Sequence, residues 1–307
     1  MASPFRALAP WNDVRAQLAL LLHERLGRPA FLSDIDDLSA RIDRLIADDP
    51  DGAIFAVMQF DQNDYGVNHS LQAAVICAEY GRISGWSEAE RHSAIGAGLT
   101  MNVAMLDLQH EMYRQREAPS AAQRDAIRSH PQCGHDLLER LGLRDRLWLQ
   151  IVIEHHESAD GQGYPTGTGE PLTFAAALGL ADRYSAKITR RLYRAALAPD
   201  AAIRELYQMN PGEARANIDR MVEAVGLWPP GTYVELANGE TAVVATRGHG
   251  IEQQPLVYAL LNAQLAEMTP TARDTSQPAF RIRGSAGPIS MGATARLPRL
   301  VAAAAQA

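Results

Sequence analysis

From residue 65 to about residue 225 apolar residues recur at helical spacing, segment after segment, and that pattern constrains the fold more than any other feature. HSLQAAVICAEYGRISG runs to a glycine, as helices often do. SEAERHSAIGAGLTMNVAML opens with Ser87 and has Glu90 three residues on, a capping-box signature. SAAQRDAIRSHPQCGHDLLERLG repeats the relation with Ser120 and Gln123. Short Gly/Pro breaks separate these stretches. One longer loop, SADGQGYPTGTGEP, is dense in turn formers and has no periodicity. The class this predicts is mainly α.

The flanks read differently. WNDVRAQLALLLHERLG and LSDIDDLSARIDRLIADD predict two N-terminal helices, the second capped by Ser33 or Asp34. AIFAVMQF fits a buried strand or a helix start, and periodicity does not decide so short a run. From about Pro229 the pattern alternates, in PPGTYVELANGETAVVATRGHG and PLVYALLN, with Asn238-Gly239 between two alternating runs. That dipeptide is a strong hairpin signal. Beyond about Glu267 Thr, Pro, Gly, Ala and Ser dominate, with Arg273, Arg281, Arg283, Arg296 and Arg299 among them. This composition predicts a disordered tail, and a basic arm is the sharper alternative. The expected organisation is an N-terminal helical segment over 1–58, a helical domain over 59–228, a small β appendage over 229–264 and a disordered tail over 265–307.

Composition excludes several classes. Hydrophobic residues at 47% and charged residues at 21% are ordinary for a globular chain. The net charge of −7 disfavours a nucleic-acid-coating surface, so no nucleic-acid polymer is expected as partner. No run reaches the ~18–20 apolar residues of a membrane span, and MASPFRALAPWNDVR lacks a signal-peptide apolar stretch. No membrane partner and a cytoplasmic location are expected. Cys77 and Cys133 form no Cys-x-x-Cys motif and read as reduced, packed thiols.

The chemistry-bearing residues cluster. His155-His156 follows the apolar run LQIVIE and precedes Asp160, Gly161, Gly163, Tyr164 and Pro165. His130 lies in SHPQCGHDLL, His69 near the start of a helix, and Asp182 in LGLADRYSA. Imidazoles with a carboxylate suit a borderline transition metal. Adjacent histidines on a regular helix diverge by about 100°, but at a helix end running into a Gly-rich loop they can converge.

HHESADGQGYP resembles the signature of the HD-GYP domains, helical HD-superfamily phosphodiesterases of bacteria that open cyclic di-GMP. The resemblance extends through ADRYSAKITRRLYR, SHP around His130, NHS around His69 and the β-hairpin region, over about residues 60–262. It implies an HD-superfamily-like helical domain with a metal cluster. In the family, two metals ~3.5–4 Å apart share a bridging hydroxide that attacks phosphorus in line. Carried over position by position, the first histidine falls on His69, the third on His130, the pair on His155 and His156, and the final aspartate on Asp182. The substrate-facing positions are Asp160, Gly161, Gly163, Tyr164, Pro165, Arg191 and Arg194. The naming His-Asp pair is replaced by Thr100-Met101, the expected lysine by Ala104, and the proline between Arg191 and Tyr193 by Leu192.

The bridging carboxylate, one imidazole and a phosphate-binding cation are therefore missing. His69 and Asp182 alone make a weak site, whereas His130, His155 and His156 with water make an adequate one. The expected cofactor is one divalent transition metal, iron or manganese, or none. Asp107 and His110 could enter the site only if the helix breaks before them, and otherwise form a solvated face. Glu157, next to the pair, is expected to be a capping carboxylate or to steady a metal ligand without touching the metal. The reading that follows is a degenerate module that binds cyclic di-GMP, a related nucleotide or a signalling protein with little or no hydrolysis. The alternatives are an active phosphodiesterase with a rebuilt or single-metal site, and a purely structural interaction protein.

Overall fold

A computed structural model describes residues 8–60, 63–209, 215–248 and 254–287. Among the described residues the N-terminal region forms α1 (Leu8–Leu20), which runs into a π turn over Leu21–Arg25, then α2 (Phe31–Asp48) and α3 (Pro50–Met58). The helical domain follows as α4 (Tyr65–Ile83), α5 (Glu88–Thr100), α6 (Leu106–Arg114), α7 (Ala121–Leu141), α8 (Arg146–Glu154), α9 (Thr173–Ile188), α10 (Pro199–Met209) and α11 (Arg215–Val225). The chain ends in β1 (Tyr233–Leu236), β2 (Thr241–Thr246), β3 (Leu256–Leu261), β4 (Glu267–Asp274) and β5 (Ile282–Ser285). The class is mainly α, as predicted.

Helix α4 is buried along nearly its whole length, with small residues such as Ala73, Ala74 and Ala78 letting α5, α9 and α11 close on it. A helix buried all round is a central one, which is why its sequence shows no polar stripe. Both capping boxes form, Ser87 with Glu90 at the start of α5 and Ser120 with Gln123 at the start of α7. The ambiguous run AIFAVMQF is helical, because Asp49 caps the Gly52 N–H and Pro50 occupies the first turn. Helix α2 starts earlier than predicted. Its N-cap is Ala30, and the Ser33 hydroxyl donates to the Ala30 carbonyl at 2.9 Å instead of capping. Cys77 is buried, whereas Cys133 is exposed rather than packed.

The strands form one antiparallel sheet in the order β4-β3-β2-β1-β5. The turn between β1 and β2 is the Asn238-Gly239 hairpin, with Gly239 at φ +85°. The sheet is larger than the expected hairpin. Strands β4 and β5 correct the expectation of a disordered tail from residue 265. Composition hid them because the chain reverses into β4 without a glycine. Asn262 Oδ1 accepts from the N–H groups of Gln264 and Ala266, both at 3.0 Å, and Leu265 takes φ +60°. The remainder of that tail, 288–307, lies outside the described residues.

The sheet docks on the N-terminal helices. Phe55 on α3 packs with Val243 and Leu260, and Arg247 reaches Asp51 on α3 and Glu79 on α4. Among the described residues no helix is long and apolar enough to cross a membrane.

Candidate metal centre and pocket

His130, His155 and His156 come together, with one ring nitrogen of each lying within 4.8 Å of the others. The backbone explains how. Pro131 lies inside α7 and has no N–H to give the carbonyl of Ile127, one turn back. That carbonyl instead accepts from His130 Nδ1 at 2.6 Å. Helix α8 stops at Glu154, which leaves carbonyls near its end without helical partners, and Val152 O accepts from His155 Nδ1 at 2.7 Å. A carbonyl only accepts, so both Nδ1 atoms carry the proton and both Nε2 atoms present bare lone pairs.

Those two Nε2 atoms lie 3.2 Å apart in the buried cluster. Two lone pairs that close, with no proton available between them, call for a shared cation. Burial first, and then the His155 charge, pushes His130 down to about 3. Burial likewise lowers His155, and burial with the neighbouring His155 lowers His156 further. The imidazoles are therefore neutral, the state in which histidine ligates a metal. The donor set fits a divalent transition metal with an open fourth position.

His69 and Asp182 do not join this cluster. His69 Nε2 donates to Asp182 Oδ1 at 2.6 Å, and the pair is buried. Burial pushes the Asp182 carboxyl up, but the His69 hydrogen bond and the imidazoles around it outweigh that and hold it well below the usual range. The two side chains thus pair with each other, while His69 Nδ1 is buried without a partner among the described residues.

The positions after α5 supply no ligand. Thr100 is fully buried, its Oγ1 donating to Gly96 O at 2.7 Å and accepting from Trp148 Nε1 at 2.8 Å. Met101 is packed in the core and Ala104 is exposed. The helix does break there, over residues 101–105, yet Asp107 and His110 remain exposed on α6. It is Gln109, on the same buried face as Met112, that turns inward.

A cavity of about 130 Å³ lies beside the histidines, walled by His69, His130, His156 and Asp182 among others. Tyr164 lines it and stacks on His156 with ring centroids 4.6 Å apart. Arg191 lines it too, bonded to the Tyr65 hydroxyl and to Tyr193 Oη at 2.7 Å, with its guanidinium 5.0 Å from the Tyr65 ring centre. The other expected substrate contacts lie elsewhere. Asp160 is exposed and accepts from Ser158 and from the Gln162 N–H, forming a local turn. Gly161 sits at φ +70° in the outer loop. Gly163 packs on the backbone of 156–158, where a Cβ would come within 2.5 Å of Glu157 Cα. Pro165 is partly buried but does not wall the cavity, and Arg194 is exposed and donates to Ala186 O.

Glu157 holds the loop in this shape. Its Oε1 accepts from Thr166 N at 2.6 Å, Thr166 Oγ1 at 2.8 Å and Gly167 N at 3.1 Å, and its Oε2 from Thr168 N at 3.2 Å. Sequence reasoning missed Tyr65, Asn102, Gln109 and Tyr113, all of which face the cavity. Asn102 Nδ2 and Gln109 Oε1 are buried there without a partner among the described residues. Gln109 carried a signal, its helical spacing from Met112, whereas Asn102 carried none.

Comparisons agree with this architecture. Residues 54–218 match the family described as HD domain. The chain is 25% identical over 238 residues to cyclic di-GMP phosphodiesterase PA4108 of Pseudomonas aeruginosa, covering 76% of this chain and 57% of that protein. It is 22% identical over 212 residues to cyclic di-GMP phosphodiesterase PdeB of Borreliella burgdorferi, covering 66% and 55%. This chain thus spans little more than half the length of these relatives. Among solved structures, Bd1817, an HDG"Y"P protein from Bdellovibrio bacteriovorus, shares the fold at a TM-score of 0.54 and 12% identity, over 68% of each chain. The family match covers more than half of the chain, and it means that this protein belongs to the HD domain family.

Proposed function

We propose that the protein is a cyclic di-GMP signalling module that binds the nucleotide and one divalent transition metal, iron or manganese, with little or no hydrolysis. The observation that carries this reading is the end of α5. Thr100 is committed to Trp148, Met101 to the core, and Ala104 offers no charge. No carboxylate is left to bridge two metals, and no cation at that position to hold the scissile phosphate. Electrostatic stabilisation of a transferring phosphoryl group is usually the largest catalytic contribution, so this loss is severe.

His130, His155 and His156 would hold the metal, which would supply a Lewis-acid contact to a phosphate oxygen. Arg191 can bond a phosphate through its fork, and Tyr164 offers a ring face to a base. Asn102 Nδ2 and Gln109 Oε1, unpaired among the described residues, can read polar ligand edges. A cavity of about 130 Å³ holds only part of a dinucleotide, so the 157–171 loop and α6 must part when the whole ligand binds.

A second reading, slow hydrolysis at a single metal, is favoured by the three convergent imidazoles. Cyclic di-GMP turnover separates the two. Protein loaded with manganese, or anaerobically with ferrous iron, is incubated with the dinucleotide alongside the His155→Ala/His156→Ala variant. The expected result is no product above the variant's background, with direct binding of the dinucleotide retained. Linear product lost in the variant would overturn the non-hydrolytic reading. Absence of both binding and turnover would leave a protein–protein interaction role.

A further inference from the structure

Arg128 lies on α7 next to Ile127, which walls the cavity beside the histidines. Its guanidinium stands over the Tyr164 ring, 5.6 Å from the ring centre. Tyr164 also stacks on His156, so one phenol meets both the histidine cluster and a cation. Arg128 is exposed and makes no hydrogen bond or ion pair with any of the described residues. Arg124, one turn earlier on the same helix, is instead tied to the Pro119 carbonyl at 2.5 Å.

The platform is fixed and the cation is not. The Tyr164 N–H donates to His156 O at 3.1 Å, and Glu157 holds the following turn through Thr166, Gly167 and Thr168. Arg128 has only the ring, and a cation on an exposed ring is held weakly. Charge-assisted bonds to a phosphate are stronger and suit the guanidinium fork. A ligand that lays a base on Tyr164 with a phosphate beside it therefore draws the guanidinium off the ring. The site has need of that charge. Position 104 is alanine, and the Arg191 guanidinium is shared between two tyrosine hydroxyls, whereas a cyclic dinucleotide brings two phosphates.

We infer that Arg128 is a second phosphate-binding residue of the nucleotide site, alongside Arg191, and supplies from α7 the charge that Ala104 lacks. It rests on Tyr164 in the free protein and moves to a phosphate of the bound ligand. This inference rests on the cyclic di-GMP reading above and names a residue that reading does not use.

The test is calorimetric titration of the manganese-loaded full chain with cyclic di-GMP, at low and at high potassium chloride. Arg128→Gln should weaken binding by about tenfold or more at low salt. The loss should shrink as salt rises, because an exposed cation is screened. Arg128→Lys keeps a point charge and should recover part of the affinity. Arg140→Gln removes the same charge about 18 Å further along α7 and should leave binding unchanged. Arg128 is exposed, so the Gln variant should keep the wild-type manganese content and urea midpoint, which separates a lost contact from a lost fold. Wild-type binding that Arg128→Gln retains, or that Arg140→Gln weakens as much, would overturn this inference alone. Wild-type protein that binds no cyclic di-GMP would overturn the nucleotide reading and this inference with it.

Discussion

At the scale of single residues, the site is set by what each backbone group lacks. Pro131 denies Ile127 O its helical donor, and the end of α8 does the same for Val152 O, so two imidazoles are turned and fixed by carbonyls beside them. Fixing Nδ1 as donor is how proteins orient metal-bound histidines. Manganese-loaded protein is therefore expected to retain about one metal per chain by elemental mass spectrometry, the occupancy of one three-imidazole site. His130→Ala and His155→Ala should each retain almost none, and His69→Ala should retain the wild-type amount. Equal loss in all three would tie His69 to the same metal. A second prediction concerns Thr100. Replacing it by Val keeps the volume but leaves the buried Trp148 Nε1–H without an acceptor, at a cost of about 1–3 kcal/mol in urea unfolding. A smaller change would mean that Trp148 finds another partner.

At the scale of elements, the 157–171 loop and α9 depend on close backbone approach. A Cβ at Gly179 would lie 2.0 Å from His155 O, so α9 can pass the histidine pair only as glycine there. Gly179→Ala should push the two segments apart, lowering stability by about 1–3 kcal/mol as overpacking does and reducing metal retention with it. Stability lost with full metal retention would contradict that coupling. Glu157→Ala removes the acceptor of four loop donors and should make the loop between 158 and 171 the first site cut in limited proteolysis. Unchanged cleavage would mean that Gly163 packing alone holds the loop.

These elements also show what could be read in advance. Capping boxes at Ser87 and Ser120 and the Asn238-Gly239 turn are local, so adjacent residues announced them. The approach of His130 to His155 is visible only as a family resemblance, because nothing local joins α7 to the end of α8. Strand β4 was missed because its turn from β3 uses Asn262 and Leu265 in place of glycine, and β5 because its partner β1 lies far away in sequence. Asp107 and His110 lie on a solvated face as expected, and Gln109 was missed because the break before α6 reset which side of the helix turns inward.

At the scale of the whole molecule, one arginine ties the sheet to three helices at once. Arg247 leaves β2 to meet Asp51 at 2.7 Å and the fully buried Glu79 at 2.6 Å, and also donates to Ala224 O. Helices α3, α4 and α11 and the sheet are thereby tied at one point, beside the apolar seam of Phe55, Val243 and Leu260. Glu79 keeps its bidentate bond to Arg82, but Arg82 is partly exposed and cannot replace the buried charge. Arg247→Met preserves much of the apolar stem and leaves Asp51 and Glu79 facing each other, a change of the kind that costs about 3–5 kcal/mol. Urea unfolding followed by tryptophan fluorescence, with Trp228 just before β1 and Trp148 in the helical core, should show Trp228 released first in the variant. Adding Glu79→Gln should recover part of the loss, since it removes the stranded charge and keeps the hydrogen-bonding amide. Coincident transitions, with less than about 1 kcal/mol lost, would place the Arg247 pairs with ordinary surface ion pairs and leave the apolar seam, with the Ser285–Asp200 and Gln59–Gly231 hydrogen bonds, to hold sheet and helices together.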